Sequence, residues 1–406
     1  MNSDARELAA GFDLEKLTPE FYANPYPTYR ALRENAPVKR LPNGSCFLTR
    51  YDDLVSAYKS TRVFSSDKKK EFAPKYGDSL LYEHHTTSLV FNDPPAHTRV
   101  RRLIMGALSP RAIAGMEPDL VKLVDRLLDT MAEKRDVDLI GDFAAAIPIE
   151  VIGNLLDVPH DDREPLRDWS LAILGALEPV ISAEAFARGN RAVKDFLAYL
   201  EILVARRRAK PGNPDRDVLT RLIQGEDNGE RLTEKELLHN CIFLLNAGHE
   251  TTTNLIGNGL VALSNHPAEK RRLIDDPVLI KTAIEEMLRF ESSNQLGNRM
   301  AVELVELGGI TLPAGTPLTL CIGAANRDPK QFPDPERLDI GRTPNRHLAF
   351  GTGAHQCAGM ALARLEGAIA ISRLLARFPD YALGGEPVRG GRVRFRGFLQ
   401  VLCRLG

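Results

Sequence analysis

The sequence predicts a mainly α-helical protein with small β-sheets, organised as one large domain over residues 1–406. Three observations carry that prediction. Apolar residues recur at three- and four-residue spacing through most of residues 98–290. After about residue 295 this texture gives way to short strand-like runs broken by glycine and proline. Strands do not alternate with helices around a glycine-rich phosphate loop, so a dinucleotide-binding architecture is not expected.

Residues 1–20 are read as a flexible N-terminal segment. Asp4, Glu7, Asp13 and Glu15, with no apolar run among them, argue against a signal peptide. Turn signals at Asn24-Pro25, Pro27 and Pro42-Asn43-Gly44 surround a short helix at 28–34, and 46–49 reads as a strand. Residues 65–92 read as irregular and polar, with the charge run Asp67-Lys68-Lys69-Lys70-Glu71 as a solvated loop. Leu120, Leu123, Val124, Leu127, Leu128 and Met131 mark an amphipathic helix. Phe196, Leu197, Leu200, Leu203 and Val204 mark another, stopped by Pro211-Gly212-Asn213-Pro214.

Thr233-Glu234-Lys235-Glu236 is a capping box that opens a long helix running to about residue 264, a span of ~46 Å. Its middle is not an apolar stripe. Ala247-Gly248-His249-Glu250-Thr251-Thr252 places glycine and hydroxyls mid-helix, where glycine loses ~1 kcal/mol against alanine. Short strands follow at 302–305, 308–310 and 316–320, then a Pro-, Asp- and Arg-rich coil at 326–347. A last helix covers about 360–378, before a glycine-rich tail of strands and turns.

Composition excludes several classes. The 406 residues are 43% hydrophobic and 26% charged, an ordinary globular mix. With 53 basic and 54 acidic residues, nothing global suggests a nucleic-acid partner. The five cysteines are scattered, so neither a disulfide framework nor a zinc site is expected. No run of ~18 apolar residues exists to span a bilayer. A soluble, cytoplasmic protein is expected.

The segment Phe350-Gly351-Thr352-Gly353-Ala354-His355-Gln356-Cys357-Ala358-Gly359 sets one cysteine in a glycine-bracketed loop just before a helix. Helix N–H groups stabilise an anionic sulfur, and glycines let backbone approach a flat ligand. Phe350, Gly353, Cys357 and Gly359 match F-x-x-G-x-x-x-C-x-G, and here the chain resembles the cytochrome P450 family, of the soluble bacterial type. Glu286-Met287-Leu288-Arg289 resembles the family's E-x-x-R, and Ala247–Thr252 its A/G-G-x-D/E-T-T.

The resemblance implies a single haem domain with haem b held by Cys357 as the axial thiolate, which favours O–O cleavage. Glu250 is then the proton-relay acid and Thr251 the hydroxyl beside it. Gly248 lies where the family's helix opens locally over the iron. Phe350, Gly353 and Gly359 cradle the cofactor. His97 and Arg101 share a helix face and, with Arg299 and His355, resemble the partners of the haem propionates. Arg337 is expected to complete a buried charge network with Glu286 and Arg289.

The implied reaction is insertion of one atom of dioxygen into a C–H bond, by hydroxylation or O-demethylation. A fatty or aromatic acid, a terpenoid or a macrolide intermediate is the expected substrate. Asn246, Ala247, Gln295, Leu296 and Phe398 are candidate pocket residues, with 66–90 as a lid. Lys68, Lys69, Lys70, Lys75, Arg188 and Arg191 hint at an acidic substrate. The stretch Ser292-Ser293-Asn294-Gln295 departs from the apolar wall of many bacterial relatives, so either the pocket is more polar or its backbone takes another path.

Nothing in the chain binds flavin, nicotinamide or an iron–sulfur cluster. Electrons are therefore expected from a separate ferredoxin and its reductase, or a flavodoxin. Arg99, Arg102, Arg111, Arg346 and Arg364 are candidates for the docking patch. Two other readings are a peroxide-driven peroxygenase and a haem-thiolate ligand-binding or sensor protein. The Glu250–Thr251 pair weighs against both.

Overall fold

Thr233 accepts a hydrogen bond from the Glu236 amide while Glu236 reaches back to the Thr233 amide, and this capping box opens a helix of 32 residues, Glu234–Asn265. The architecture is that of a computed structural model describing residues 2–134, 136–214, 217–225, 229 and 231–406. The long helix is the central rod. Helices Ala146–Leu155, Leu166–Gly175, Ala183–Ala209 and Met360–Arg377 pack against it. Most of the rod is buried, so its stability comes from packing on nearly all sides rather than from one apolar stripe.

The β-rich part is a five-stranded sheet. Its order is Val38–Arg40, Cys46–Leu48, Pro317–Cys321, Leu296–Ala301, Phe64–Ser65. Cys46–Leu48 and Pro317–Cys321 run parallel, and the other pairs are antiparallel. Three apolar clusters form the core: a large helical one, one under this sheet, and one around Phe12, Phe21, Tyr29 and Phe47.

Most predicted elements are present, with bounds shifted by a few residues. Two expectations are corrected. The N-terminal segment is not a loose tail: helix Asn2–Ala10 packs on Tyr26–Asn35, and Ala9, Phe12 and Leu14 are buried. Residues 65–92 are not irregular. They form helices Lys69–Tyr76 and Leu80–Thr87, which pack on each other. Within the charge run, Lys68 is buried and pairs with Glu71 at 2.5 Å. The apolar residues Phe72, Tyr76 and Leu81, hidden among polar neighbours, anchor the segment to the core. Residues 326–347 contain no helix or strand, as expected. No helix among the described residues is long and apolar enough to cross a membrane.

Candidate functional site

The loop before helix Met360–Arg377 is closed by Cys357 N–H donating to Phe350 O at 2.9 Å and Gln356 N–H to Gly353 O at 3.1 Å. Gly353 has φ +76°, and a Cβ there would lie 2.8 Å from the Tyr58 carbonyl, so this turn requires glycine. Phe350 is fixed by the Arg364 guanidinium over its ring at 4.7 Å. Cys46, Cys241, Cys321 and Cys403 are buried, whereas the Cys357 side chain is accessible although protein surrounds it closely. A group that is both deep and accessible faces an internal hollow. Burial pushes the Cys357 thiol up; the Gly359 amide, Arg101 and Arg364 pull the other way.

His97, Arg101, Arg299 and His355 converge from three parts of the chain. The rings of His97 and His355 lie 3.9 Å apart. Arg101 donates to Gln356 O at 2.7 Å, and Arg299 to Asn298 O at 2.7 Å. Both His97 ring nitrogens, His355 Nε2, and Arg299 Nε and Nη2 are buried without a hydrogen-bond partner. Burial, then Arg101, pushes His97 down to about 4; burial, then Arg299, pushes His355 down to about 2. This is a nest of donors and positive charge with Asp93 as the carboxylate near it.

On the long helix, Ala247 is exposed and Gly248 and Thr251 are half-buried, in a stretch whose other side chains are mostly buried. Thr251 Oγ1 donates to Ala247 O at 2.7 Å. Glu250 is buried and pairs with Arg392 at 2.7 Å. Burial lifts its carboxyl to about 7, against the pull of Arg392. Glu250 and Arg392 also line a cavity of about 30 Å³ with His249, Asn254 and Phe398, room enough for water. Arg392 was not foreseen; it sits in the glycine-rich tail, where no spacing marks it. The expected local opening of the helix is not seen: the helix is continuous, and a Cβ at Gly248 would collide with the Ile152 side chain, so this glycine serves close packing on Ala146–Leu155.

Glu286 and Arg289 are fully buried and pair at 2.7 Å through Arg289 Nε and Nη2. The third member of the network is Arg342, not Arg337. Arg342 Nε lies 3.1 and 3.2 Å from the two Glu286 oxygens. Arg337 has an exposed side chain and contributes only its carbonyl, which accepts from Arg289 and Arg342. Asn345 and the Asp339 amide complete the shell around Glu286. The coil places these groups by backbone turns, which residue types alone do not reveal.

Of the candidate pocket residues, Ala247 is exposed, and Asn246 is buried with both amide atoms unpartnered. Gln295 and Leu296 are corrected. Gln295 is fully buried, its amide donating to Ser292 O at 2.7 Å and its carbonyl lying tight against Gly323. Leu296 packs in the N-terminal core cluster. Phe398 borders the Glu250 cavity and lies under the Arg389 guanidinium at 4.0 Å. Of the candidate basic patch, Arg364 is held by Glu285 at 2.6 and 2.8 Å, and Arg99 pairs with Glu236. Arg102, Arg111 and Arg346 are exposed.

A flat group bearing carboxylates, ligated through its metal by a lone thiolate, fits these residues. The accessible Cys357 supplies the thiolate. The unpartnered donors of His97, Arg299 and His355 suit carboxylates. A Cβ at Gly359 would meet nothing within 4 Å, leaving room beside the sulfur.

Comparisons with known proteins agree. The Cytochrome P450 family model matches residues 169–380. The chain is 37% identical over 367 residues to the biotin biosynthesis cytochrome P450 of Bacillus subtilis (strain 168), covering 90% of this chain and 91% of that protein. It is 36% identical to the 6-deoxyerythronolide B hydroxylase of Saccharopolyspora erythraea, over 92% of each. The crystal structure of P450BioI in complex with an acyl carrier protein ligated to hexadec-9Z-enoic acid matches with TM-score 0.90 and 35% identity, covering 96% of this chain and 100% of that one. The chain therefore belongs to the cytochrome P450 family of haem-thiolate monooxygenases.

Proposed function

We propose that this chain is one haem b domain that inserts an oxygen atom into a C–H bond of a small organic substrate, by hydroxylation or O-demethylation. Electrons come from a separate ferredoxin and its reductase, or a flavodoxin, and the protein works in the cytoplasm. The observation that carries the reading is the accessible Cys357 beside unpartnered buried donors. The bound haem would supply the dioxygen chemistry. Cys357 would ligate its iron. Arg101, Arg299, His97 and His355 would take its propionates. Exposed Arg111 and Arg346 would meet the electron donor.

The long helix supplies protons. Glu250, lifted to about 7, holds or releases a proton near neutrality. Arg392 keeps it anchored on the side of the small water-sized cavity. Thr251 is the next residue on the helix, and its hydroxyl, now donating to Ala247 O, can turn to pass a proton on. This acid–hydroxyl pair favours a monooxygenase over a peroxygenase, whose peroxide brings its own protons, or a sensor, which consumes none. A relative bound to a hexadec-9Z-enoic acyl chain supports a fatty substrate, as one bound to testosterone supports a terpenoid one.

Thr251→Ala is expected to uncouple the reaction. With a surrogate ferredoxin system, NAD(P)H consumption continues while peroxide replaces product. Equal product per electron in both proteins would remove Thr251 from the assignment.

A further inference from the structure

Lys75, Glu178 and Arg394 meet from three parts of the chain: the lid helix Lys69–Tyr76, the turn after Leu166–Gly175, and the segment before strand Phe398–Gln400. Arg394 is surrounded closely by protein yet remains partly accessible, the same combination seen at Cys357. Its guanidinium donates only to neutral acceptors: Leu177 O at 3.0 Å, Leu296 O at 2.8 Å and Asn298 Oδ1 at 2.5 Å. Lys75 Nζ donates to Glu178 O at 2.6 Å and pairs with no carboxylate among the described residues. The carboxylates nearby are already engaged. Glu178 accepts the amides of Val393 and Arg394, and Glu71 pairs with Lys68. Three cations, Lys68, Lys75 and Arg394, thus face two anions, Glu71 and Glu178.

We propose that Lys75 and Arg394 form an anion subsite that takes the carboxylate of the substrate, a long-chain carboxylic acid. This deepens, and rests on, the monooxygenase reading above. A buried unmatched charge is costly, and a ligand carboxylate would match it. Burial, then Arg394, pushes Lys75 down to about 8, against the pull of Glu71 and Glu178. Beside the cations the packing is apolar: buried Tyr76 stacks on Phe186 with centroids 6.4 Å apart and meets buried Phe72 edge-on at 5.1 Å, and half-buried Phe186 is the ring a bound chain would touch.

The test titrates the haem-loaded protein with tetradecanoic acid, its methyl ester and the corresponding alcohol. Binding is read by the haem spin-state shift and independently by calorimetry. The wild type should prefer the acid over the ester by about tenfold. Lys75→Met, at a half-buried site making one hydrogen bond, should bring that ratio to about unity while leaving ester affinity and haem content unchanged. Lys75→Arg should restore the preference. Equal binding of acid and ester by the wild type, no binding of the acid, or a preference kept in Lys75→Met would overturn the subsite. Loss of haem from Lys75→Met would also overturn it, since the lysine would then serve a propionate. A protein that binds haem through Cys357 but shows no acid preference loses only the subsite; failure of thiolate ligation would strike the monooxygenase reading itself.

Discussion

Two buried polar regions of this protein are built on opposite terms. Around Glu286, the carboxylate receives Arg289, Arg342, Asn345 and the Asp339 amide, and Arg289 spends its remaining hydrogens on Asn326 O, Pro335 O and Arg337 O. Where the lid meets the long helix and farther along that helix, His84 Nδ1, His85 Nε2, His239 Nδ1, both atoms of the Asn246 amide and both ring nitrogens of His249 have no partner. Native interiors leave few such groups unpaired, because each costs ~1–3 kcal/mol. The first region is finished by the chain itself and serves as a brace. The second is left open, and the groups it strands are the ones a substrate, water or proton can use. Stability and chemistry are thus kept apart within one core.

Breaking the brace should produce the largest effect. Arg289→Ala takes the fully buried, bidentate partner from Glu286, leaving Arg342 as its one arginine, and should cost ~3–5 kcal/mol, seen as a lower chemical-denaturation midpoint and loss of haem retention. Glu366, on the helix after Cys357, sharpens the contrast, because it is a buried carboxyl with Oε2 unpartnered, and burial lifts it to about 8. The folded state binds this proton more tightly than the unfolded chain. Its contribution is therefore full below the ordinary carboxylate range and is lost as pH rises toward 8, by up to ~1.4 kcal/mol per pH unit. Denaturation curves of Glu366→Gln across that window should lack this fall; a parallel pH dependence in both proteins would show that Glu366 is not the source.

A smaller effect separates the two arginines. Arg342→Ala removes a hydrogen-bonded charge from Glu286 and should cost ~1.5–3 kcal/mol. Arg337→Ala, which leaves the carbonyl in place, should stay within ~0.5 kcal/mol. A reversed order of midpoints would return Arg337 to the network.

The comparison also explains what the sequence made legible. The capping box at Thr233, the pairing of Glu286 with Arg289, and the loop around Cys357 depend on short spacings, and the structure places each within its own element. Arg342 and Arg392 act on partners 56 and 142 residues away, so no local pattern marks them. The same limit misplaced Gln295 and Leu296. Their position after Arg289 suggested a pocket wall, but strand pairing with Pro317–Cys321 turns Leu296 into the N-terminal core. The polar stretch 292–295 turns inward: Ser292 donates to Leu288 O and accepts from Asn326, and the Gln295 amide donates to Ser292 O, while Ser293 Oγ, Asn294 Oδ1 and Gln295 Oε1 stay buried without a partner. Lys68 was hidden for a related reason, since a charge run reads as solvated unless an ion pair such as that with Glu71 allows burial.

The central claim is that Cys357 is the thiolate ligand of a haem. The most direct measurement is the carbon monoxide difference spectrum of the dithionite-reduced, haem-loaded protein beside Cys357→His. A strongly red-shifted Soret band in the wild type that disappears in the variant is the predicted result. A wild-type protein that takes up no haem, or a band unchanged by the substitution, would contradict it.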